Sequence, residues 1–60
     1  MRKYDITDHR DMIDVAKWEW LNTLLKKDQY KIHNDGFLLD SYHVSFPDPA
    51  AETLYLLRWA

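Results

Sequence analysis

The densest group of potential metal ligands lies near the N-terminus, at Asp5, Asp8, His9 and Asp11. A protein site for a divalent cation needs several such ligands converging on one point. On a helix, Asp8 and Asp11 lie within one turn, whereas His9 projects to the side. We therefore interpret these acids as helix capping and compensation of the helix dipole, and we expect no metal and no cofactor.

The other two histidines, His33 and His43, flank an Asn34-Asp35-Gly36 sequence on two candidate strands. Pairing of those strands does not require the two imidazoles to be opposite each other, and no third ligand has a clear place beside them. Histidines on strand faces are more often solvated or hydrogen-bonded than catalytic. The sequence therefore favours neither a metal site nor a general base here.

Nucleophilic catalysis has few candidates, because the chain contains no cysteine. None of its hydroxyl side chains lies in a Gly-x-Ser-x-Gly motif, and one glycine cannot build a phosphate-binding loop. A chain this short also has little volume for a ligand pocket of about 300 Å³. We expect no enzymatic activity. The hydroxyl residues considered are Thr7, Thr23, Ser41, Ser45 and Thr53.

Aromatic residues dominate the composition: three Trp, four Tyr and two Phe occur in 60 residues with one glycine. A domain of this length buries only about 60% of the surface that its unfolded chain exposes. Disulfides are excluded, so the core must rely on aromatic side chains, each burying about 150–250 Å². We expect residues 1–60 to form one compact domain with more apolar surface than it can bury.

The distribution of charge argues against nucleic acid as the partner. Eight Lys and Arg residues stand against ten Asp and Glu, and acids lie between almost all the basic residues. A membrane partner is not expected either, because no apolar run approaches the ~20 residues that span a bilayer. The N-terminal residues Arg2 and Lys3 lead into acids rather than the apolar segment of a signal peptide, which predicts a cytoplasmic location.

The strongest helical periodicity runs from His9 to Lys27, with Asp8 as the expected N-cap and Asp11 as its capping-box partner. At about 100° per residue, several apolar side chains share one side of this helix and form the predicted core face. These residues are Ile13, Ala16, Trp20 and Leu24, with Leu21 beside them.

A second apolar patch on the same helix comprises Trp18 and Leu25, with Val15 further round. These side chains project well over 90° from the predicted core face, by helical geometry. One small sheet cannot easily cover both sides of the helix. The second patch is therefore predicted either to pack on a flanking loop or the N-terminus, or to face a partner.

Strand patterns follow the helix. Residues from Gln29 to His33 alternate in polarity, Asn34-Asp35-Gly36 is typical of a tight hairpin turn, and a second strand is predicted from Phe37 to Phe46. In this second strand Leu38, Tyr42, Val44 and Phe46 share one side. Residues 2–6 are a candidate for a further short strand before the helix.

The C-terminal segment fits two structures. Asp48 and Pro49 are typical of a helix start, whereas Thr53, Tyr55, Leu57 and Trp59 alternate as in a strand. We favour a single helical turn followed by a final strand, and a helix from Pro49 to Trp59 is the alternative. The predicted core comprises Ile13, Trp20, Leu24, Val44 and Leu57.

The same segment carries a family resemblance. An aromatic residue at Phe46 and an acidic turn at Asp48 precede Tyr55-x-Leu57-Arg58-Trp59. This pattern resembles the ending of many small bacteriophage-encoded accessory proteins, which finish with aromatic-x-Leu-x-Trp. It differs from them in its Ala50-Ala51-Glu52 order and in the final Ala60, and it covers about a quarter of the chain. The resemblance implies a phage or prophage origin and no particular activity.

Together these patterns predict an α+β domain, with one amphipathic helix packed on a small antiparallel sheet of three or four strands. Aromatic residues on more than one face, without a catalytic motif, favour a small non-enzymatic protein-binding regulator or inhibitor that acts by steric occlusion. For a phage-encoded chain, the expected partner of such a regulator is a host enzyme or defence complex. The alternatives are a nucleic-acid-binding accessory protein and a self-associating protein, including a homodimer. The predicted partner surface comprises Val15, Trp18, Leu25, Tyr55 and Trp59.

Overall fold

A computed structural model of the chain describes residues 2–34 and 41–59. Two helices cover one face of a three-stranded antiparallel sheet, so the predicted α+β class is confirmed. The strands lie in the order β1-β3-β2, which makes β3 the central strand. In chain order the elements are β1 (Lys3–Asp5), α1 (Val15–Leu24), β2 (Lys31–Asn34), β3 (Tyr42–Ser45) and α2 (Pro49–Trp59).

Strand register divides the sheet into an apolar face and a polar face. Tyr4 and Ile32 are both paired with Val44, so these three side chains project to the same side. Val44 is fully buried, and Tyr4 and Ile32 pack against the core. This side is the face that the helices cover, in agreement with the predicted alternation around Val44.

The predicted hairpin turn lies mostly outside the described residues. Asn34 is the last residue of β2 and pairs with Tyr42, whereas Asp35, Gly36 and the predicted strand residues 37–40 are not described. The two strands pair in antiparallel fashion, as predicted.

The first helix begins six residues later than the predicted His9, and its N-cap is Asp14 rather than Asp8. The Asp14 side chain accepts a hydrogen bond from the Lys17 amide. Asp8 caps a loop instead: its carboxylate accepts from the amides of Arg10 and Met12. The cause is an antiparallel bridge between Thr7 and Ile13, which folds the intervening residues back on themselves before the helix can start.

A backbone feature of the loop supports this correction. Asp11 has a φ of +61°, in the left-handed region, which is incompatible with a continuous right-handed helix through residues 9–14. Aspartate tolerates this conformation better than most residues. The capping-box role predicted for Asp11 is therefore wrong, and the residue serves as the turning point of the loop.

The face of α1 that meets the core is also different from the predicted one. Leu21 and Leu25 are buried, whereas Leu24 is 62% exposed and Ala16 is exposed. Trp20 is half-buried at the flank of the contact. Trp20 packs against Tyr55 of α2, and Leu21, which is fully buried, takes the central position of the contact.

The C-terminal segment is the helix α2 throughout, so the favoured final strand is wrong and the alternative is confirmed. Ala51 and Tyr55 are buried, and Trp59 is half-buried one turn further on. Leu57, predicted to be a core residue, is 79% exposed. The spacing of four residues between the inward positions follows the helical period. Leu57 fits only the two-residue alternation of a strand, and it is therefore not buried in the helix.

Four aromatic rings form the centre of the core where α2 crosses the sheet. The ring of Tyr55 lies 5.5 Å from Tyr4, 5.1 Å from Phe46 and 6.1 Å from Trp20, between centroids. Tilted and edge-on pairs at such distances contribute about 0.5–1.5 kcal/mol each beyond the burial of area. The predicted reliance on aromatic bulk therefore holds, with Tyr55 at its centre. The buried residues are Ile6, Leu21, Leu25, Val44, Ser45, Phe46, Ala51 and Tyr55.

Candidate functional site

The exposed large apolar side chains of the described residues all lie on the helices or in the loop that leads into α1. None of them lies on the polar face of the sheet. A small domain whose core is already closed gains nothing from such residues in water, so each of them is a candidate for a contact surface. They are Met12, Val15, Trp18, Leu24, Leu54 and Leu57.

An open groove of about 390 Å³ runs between the two helices. The residues of α1 that line the groove recur at helical spacing, and the residues of α2 that line it belong to the last turn of that helix. The groove exceeds the volume expected for so short a chain. We call this feature the interhelical groove; it is lined by Ala16, Glu19, Trp20, Thr23, Leu24, Arg58 and Trp59.

Two cations surround the Trp59 ring at the end of the groove. The Arg58 guanidinium lies 4.0 Å from the ring centroid, and the Lys17 ammonium lies 5.8 Å from it. Both distances fall within the range of cation–π attraction. The Nε1 atom of Trp59 is buried and has no hydrogen-bond partner in the described part of the chain. Two cations therefore lie around Trp59 at this end of the groove, which Glu19 also lines.

The predicted partner residues separate into two groups. Leu25 and Tyr55 are core residues, 8% and 3% exposed, so they cannot form part of a surface on this fold. They are buried because the helix faces differ from the predicted ones, as described above. Val15 and Trp18 are exposed on α1, and Trp59 is half-buried in the wall of the groove.

Val15 and Trp18 are not among the residues that line the groove. Val15 and Leu24 are nine residues apart, which places them about 180° apart around α1. Sequence reasoning therefore grouped Trp59 with residues on the far side of α1 and missed Leu24 as a groove residue. No pattern in the sequence identifies the groove, because its walls come from two helices whose packing decides which residues meet.

The polar face of the sheet is the second candidate site. Register places Lys3 and Lys31 on either side of Ser45, and Asp5 and His33 on either side of His43. We call these six residues the outer sheet face. The two histidines are thus direct cross-strand partners, an arrangement that the sequence alone left open. The Nε2 atom of His33 lies 2.7 Å from the Ser45 hydroxyl oxygen.

The acidic cluster near the N-terminus forms loop contacts rather than a ligand set. Asp5 accepts a hydrogen bond from the Thr7 amide, and Asp8 pairs with the Arg10 guanidinium at 3.1 Å. Hydrogen bonds from the backbone, with Thr7 the largest cause for Asp5 and Met12 for Asp8, hold the pKa of each carboxyl below its ordinary value. Among the described residues, no three His, Asp or Glu side chains are grouped as a metal site.

No helix in the described residues has the length and hydropathy needed to cross a bilayer. Comparisons with protein-family models, curated proteins and solved structures find no match to this chain. The resemblance of the C-terminal segment to phage proteins therefore stays a prediction.

Proposed function

We propose that this chain is a small non-enzymatic regulator that binds another protein through its helical layer and occludes the partner's surface. The observation that carries the proposal is the interhelical groove with Leu24 on its wall, together with the exposed Leu54 and Leu57 of α2. Leu54 lies one helical turn from Arg58, so the apolar surface continues from the groove along α2.

The chemistry of the groove defines the partner segment. Trp20, Leu24 and Trp59 provide apolar walls for one or two apolar side chains. Arg58 and Lys17 place two positive charges around Trp59. We propose an amphipathic segment of a partner protein, with apolar anchors in the groove and an acidic side chain beside Trp59.

The identity of the partner follows from the resemblance in the C-terminal segment. We propose that the chain is encoded by a bacteriophage and that its partner is a host enzyme or defence complex in the host cytoplasm. Steric occlusion requires only a well-packed contact of sufficient area, which suits a chain with no catalytic motif.

Two exposed apolar residues of α1 provide a matched test. Leu24→Glu places a carboxylate in the groove, and Val15→Glu places the same group about 180° away on the same helix. The wild-type chain is used to capture a protein from host lysate, and the captured protein is then purified and titrated against all three chains. We expect a stoichiometric complex that Leu24→Glu weakens by about a hundredfold and Val15→Glu leaves unchanged.

Other outcomes have definite meanings. Equal affinity of the purified partner for all three chains would contradict the proposal. Loss of binding with Val15→Glu alone would assign the contact to Val15 and Trp18 instead of the groove. Sedimentation of the wild-type chain by itself tests the alternative: a dimer that Leu24→Glu dissociates would show that a second copy fills the groove. Salt-sensitive binding to a fluorescent oligonucleotide would favour the nucleic-acid alternative.

A further inference from the structure

We propose that two copies of this chain associate through one side of α2, as an antiparallel helix pair related by a two-fold axis. The side chains of Ala50, Leu54 and Leu57 form this side, which we call the exposed face of α2. Leu24 lies on α1 and is not part of it, so the proposal does not depend on what fills the interhelical groove.

The three residues of the exposed face share one side of the helix. Their spacing of i, i+4 and i+7 places them within about 60° of one another around the helix axis, as in a helix–helix seam. Tyr55, which is buried on the core side, lies about 100–160° from each of them. Leu54 is 51% and Leu57 is 79% exposed. The helix therefore presents one apolar side to the core and a second one to solvent.

The polar side chain next to the exposed face is bonded within its own helix. Thr53 lies one turn from Leu57, and its hydroxyl donates to the Pro49 carbonyl oxygen at 3.0 Å. This hydrogen bond persists when another surface covers the helix, so a contact here leaves no hydroxyl proton unpaired. The exposed face is therefore suited to a dry helix–helix contact.

Charge selects a second copy in the antiparallel orientation. Arg58 lies one turn from Leu54 towards the end of α2, and Asp48 immediately precedes the helix at its other end. In an antiparallel pair centred on Leu54, the Arg58 guanidinium of each copy approaches the Asp48 carboxylate of the other. A parallel pair would instead place the two arginines together. The helix dipoles also favour the antiparallel arrangement.

Both charged groups retain hydrogen-bonding capacity for this contact. The Arg58 guanidinium lies 4.0 Å from the centroid of the Trp59 ring, and stacking of this kind leaves the N–H groups free in the guanidinium plane. The Asp48 carboxylate accepts from the Ala50 amide at 3.1 Å and from the Gln29 side chain at 2.9 Å. A carboxylate has about four acceptor positions, so others remain for a guanidinium.

The sizes of the side chains fit the same arrangement. With Leu54 near the two-fold axis, Leu57 of each copy lies beside Ala50 of the other, and the small side chain makes room for the large one. Such a contact uses the same surface on both copies, as in the two-fold dimers that are commonest among oligomers. A chain of this length buries a limited share of its surface, so the second copy adds apolar burial that the monomer lacks.

Sedimentation equilibrium of the purified chain, from about 1 μM to about 1 mM, tests the proposal. We expect a monomer–dimer equilibrium with a micromolar Kd. Leu57→Glu should weaken the dimer at least tenfold, because the two-fold axis introduces the carboxylate twice. Val15→Glu, which places the same charge on an exposed apolar residue of α1, should leave the Kd unchanged. Circular dichroism checks that both variants keep the fold.

Cysteine cross-linking tests the orientation independently, since the chain has no cysteine of its own. A disulfide requires Cα atoms within about 7 Å of each other. An oxidised mixture of Ala50→Cys and Leu57→Cys should therefore give the mixed disulfide, and neither variant alone should cross-link to itself. Cross-linking of each variant only to itself would show a parallel pair and overturn the proposed arrangement.

Three sedimentation results would overturn the dimer itself. The first is a chain that stays monomeric throughout the concentration range. The second is a dimer that Leu24→Glu dissociates and Leu57→Glu leaves intact, which would place the second copy in the interhelical groove. The third is a monomer whose complex with the captured partner protein is weakened by Leu57→Glu, which would assign the exposed face of α2 to that partner.

Discussion

The Tyr4 hydroxyl donates a 2.5 Å hydrogen bond to the Glu52 carboxylate, joining the first strand to the last helix across 48 positions of sequence. The same ring packs against Tyr55 and Phe46, so one residue of β1 holds both the polar and the apolar contact with this part of the core. Stability in this domain therefore depends on a few residues that each connect distant segments.

Replacing Tyr4 with Phe should reduce the loss of stability at alkaline pH. The hydrogen bond to Glu52, with desolvation adding to it, raises the pKa of Tyr4 above its ordinary 10.0. A pKa that is higher in the folded chain stabilises the fold fully below the unfolded pKa, and that contribution is lost as pH rises through the folded pKa. We expect the wild-type Tm to fall above about pH 10 and the Tyr4→Phe Tm to fall less steeply.

The remaining alkaline loss should come from Tyr55. Burial is the largest cause that raises the pKa of Tyr55, so its contribution has the same sign and persists in Tyr4→Phe. Melting curves of both chains recorded from pH 8 to about pH 11 test this order. Parallel curves for the wild type and Tyr4→Phe would show that the Glu52 contact does not influence the ionisation of Tyr4.

Two leucines of α1 provide a test of the helix face. Leu21→Ala should lower the free energy of unfolding by about 2–5 kcal/mol, because the side chain is fully buried and its removal leaves a cavity. Leu24→Ala removes the same atoms from a residue that is mostly exposed, and should change the free energy by about 0.5 kcal/mol or less. Urea unfolding of both variants measures the difference. A larger loss for Leu24→Ala would restore the core face predicted from the sequence.

The two tryptophans of α1 should behave differently. Trp20 packs edge-on against Tyr55, and Trp20→Ala should cost about 3 kcal/mol or more. Trp18 is 44% exposed, and Trp18→Ala should cost clearly less. Acrylamide quenching provides a second measurement, because the fluorescence lost in Trp18→Ala should be the more accessible component. Equal destabilisation by the two variants would place Trp18 in the core.

Replacing Asp8 with Asn should weaken the dependence of stability on acid. The amide of Met12, followed by that of Arg10, donates to the Asp8 carboxylate and lowers its pKa below 3.8. A lowered pKa stabilises the fold above the unfolded value, and the contribution is lost as pH falls through the folded value. We expect the urea midpoint of the wild type to fall more between pH 5 and pH 2 than that of Asp8→Asn. The difference is the contribution of the Asp8 carboxyl group alone.

Much of the sheet could be predicted from local pattern, because alternation at Tyr42, Val44 and Phe46 has one consistent reading. The C-terminal helix could not, since Tyr55 and Trp59 satisfy both the period of a strand and that of a helix. The packing of Tyr55 against Tyr4 and Phe46 selects the helix, and that contact joins residues far apart in sequence.

The predictions of where α1 starts and which of its faces is buried were wrong for related reasons. Asp8 and Asp14 are equally good N-caps, and the bridge between Thr7 and Ile13 decides between them. Neither candidate site was visible in the sequence. The interhelical groove depends on how two helices pack, and the outer sheet face depends on a register that places His33 opposite His43.

The central position of β3 has a consequence for the kinetics of folding. β2 pairs with it across residues 35–41, a short closure that takes microseconds in isolated hairpins. β1 pairs with the same strand across about 40 positions, from Tyr4 to Val44, so the entropy lost in closing this longer loop is greater. The hairpin should therefore form early and β1 should dock late, after the main barrier to folding, so Val44→Ala should slow folding more than Tyr4→Phe, which should mainly speed unfolding.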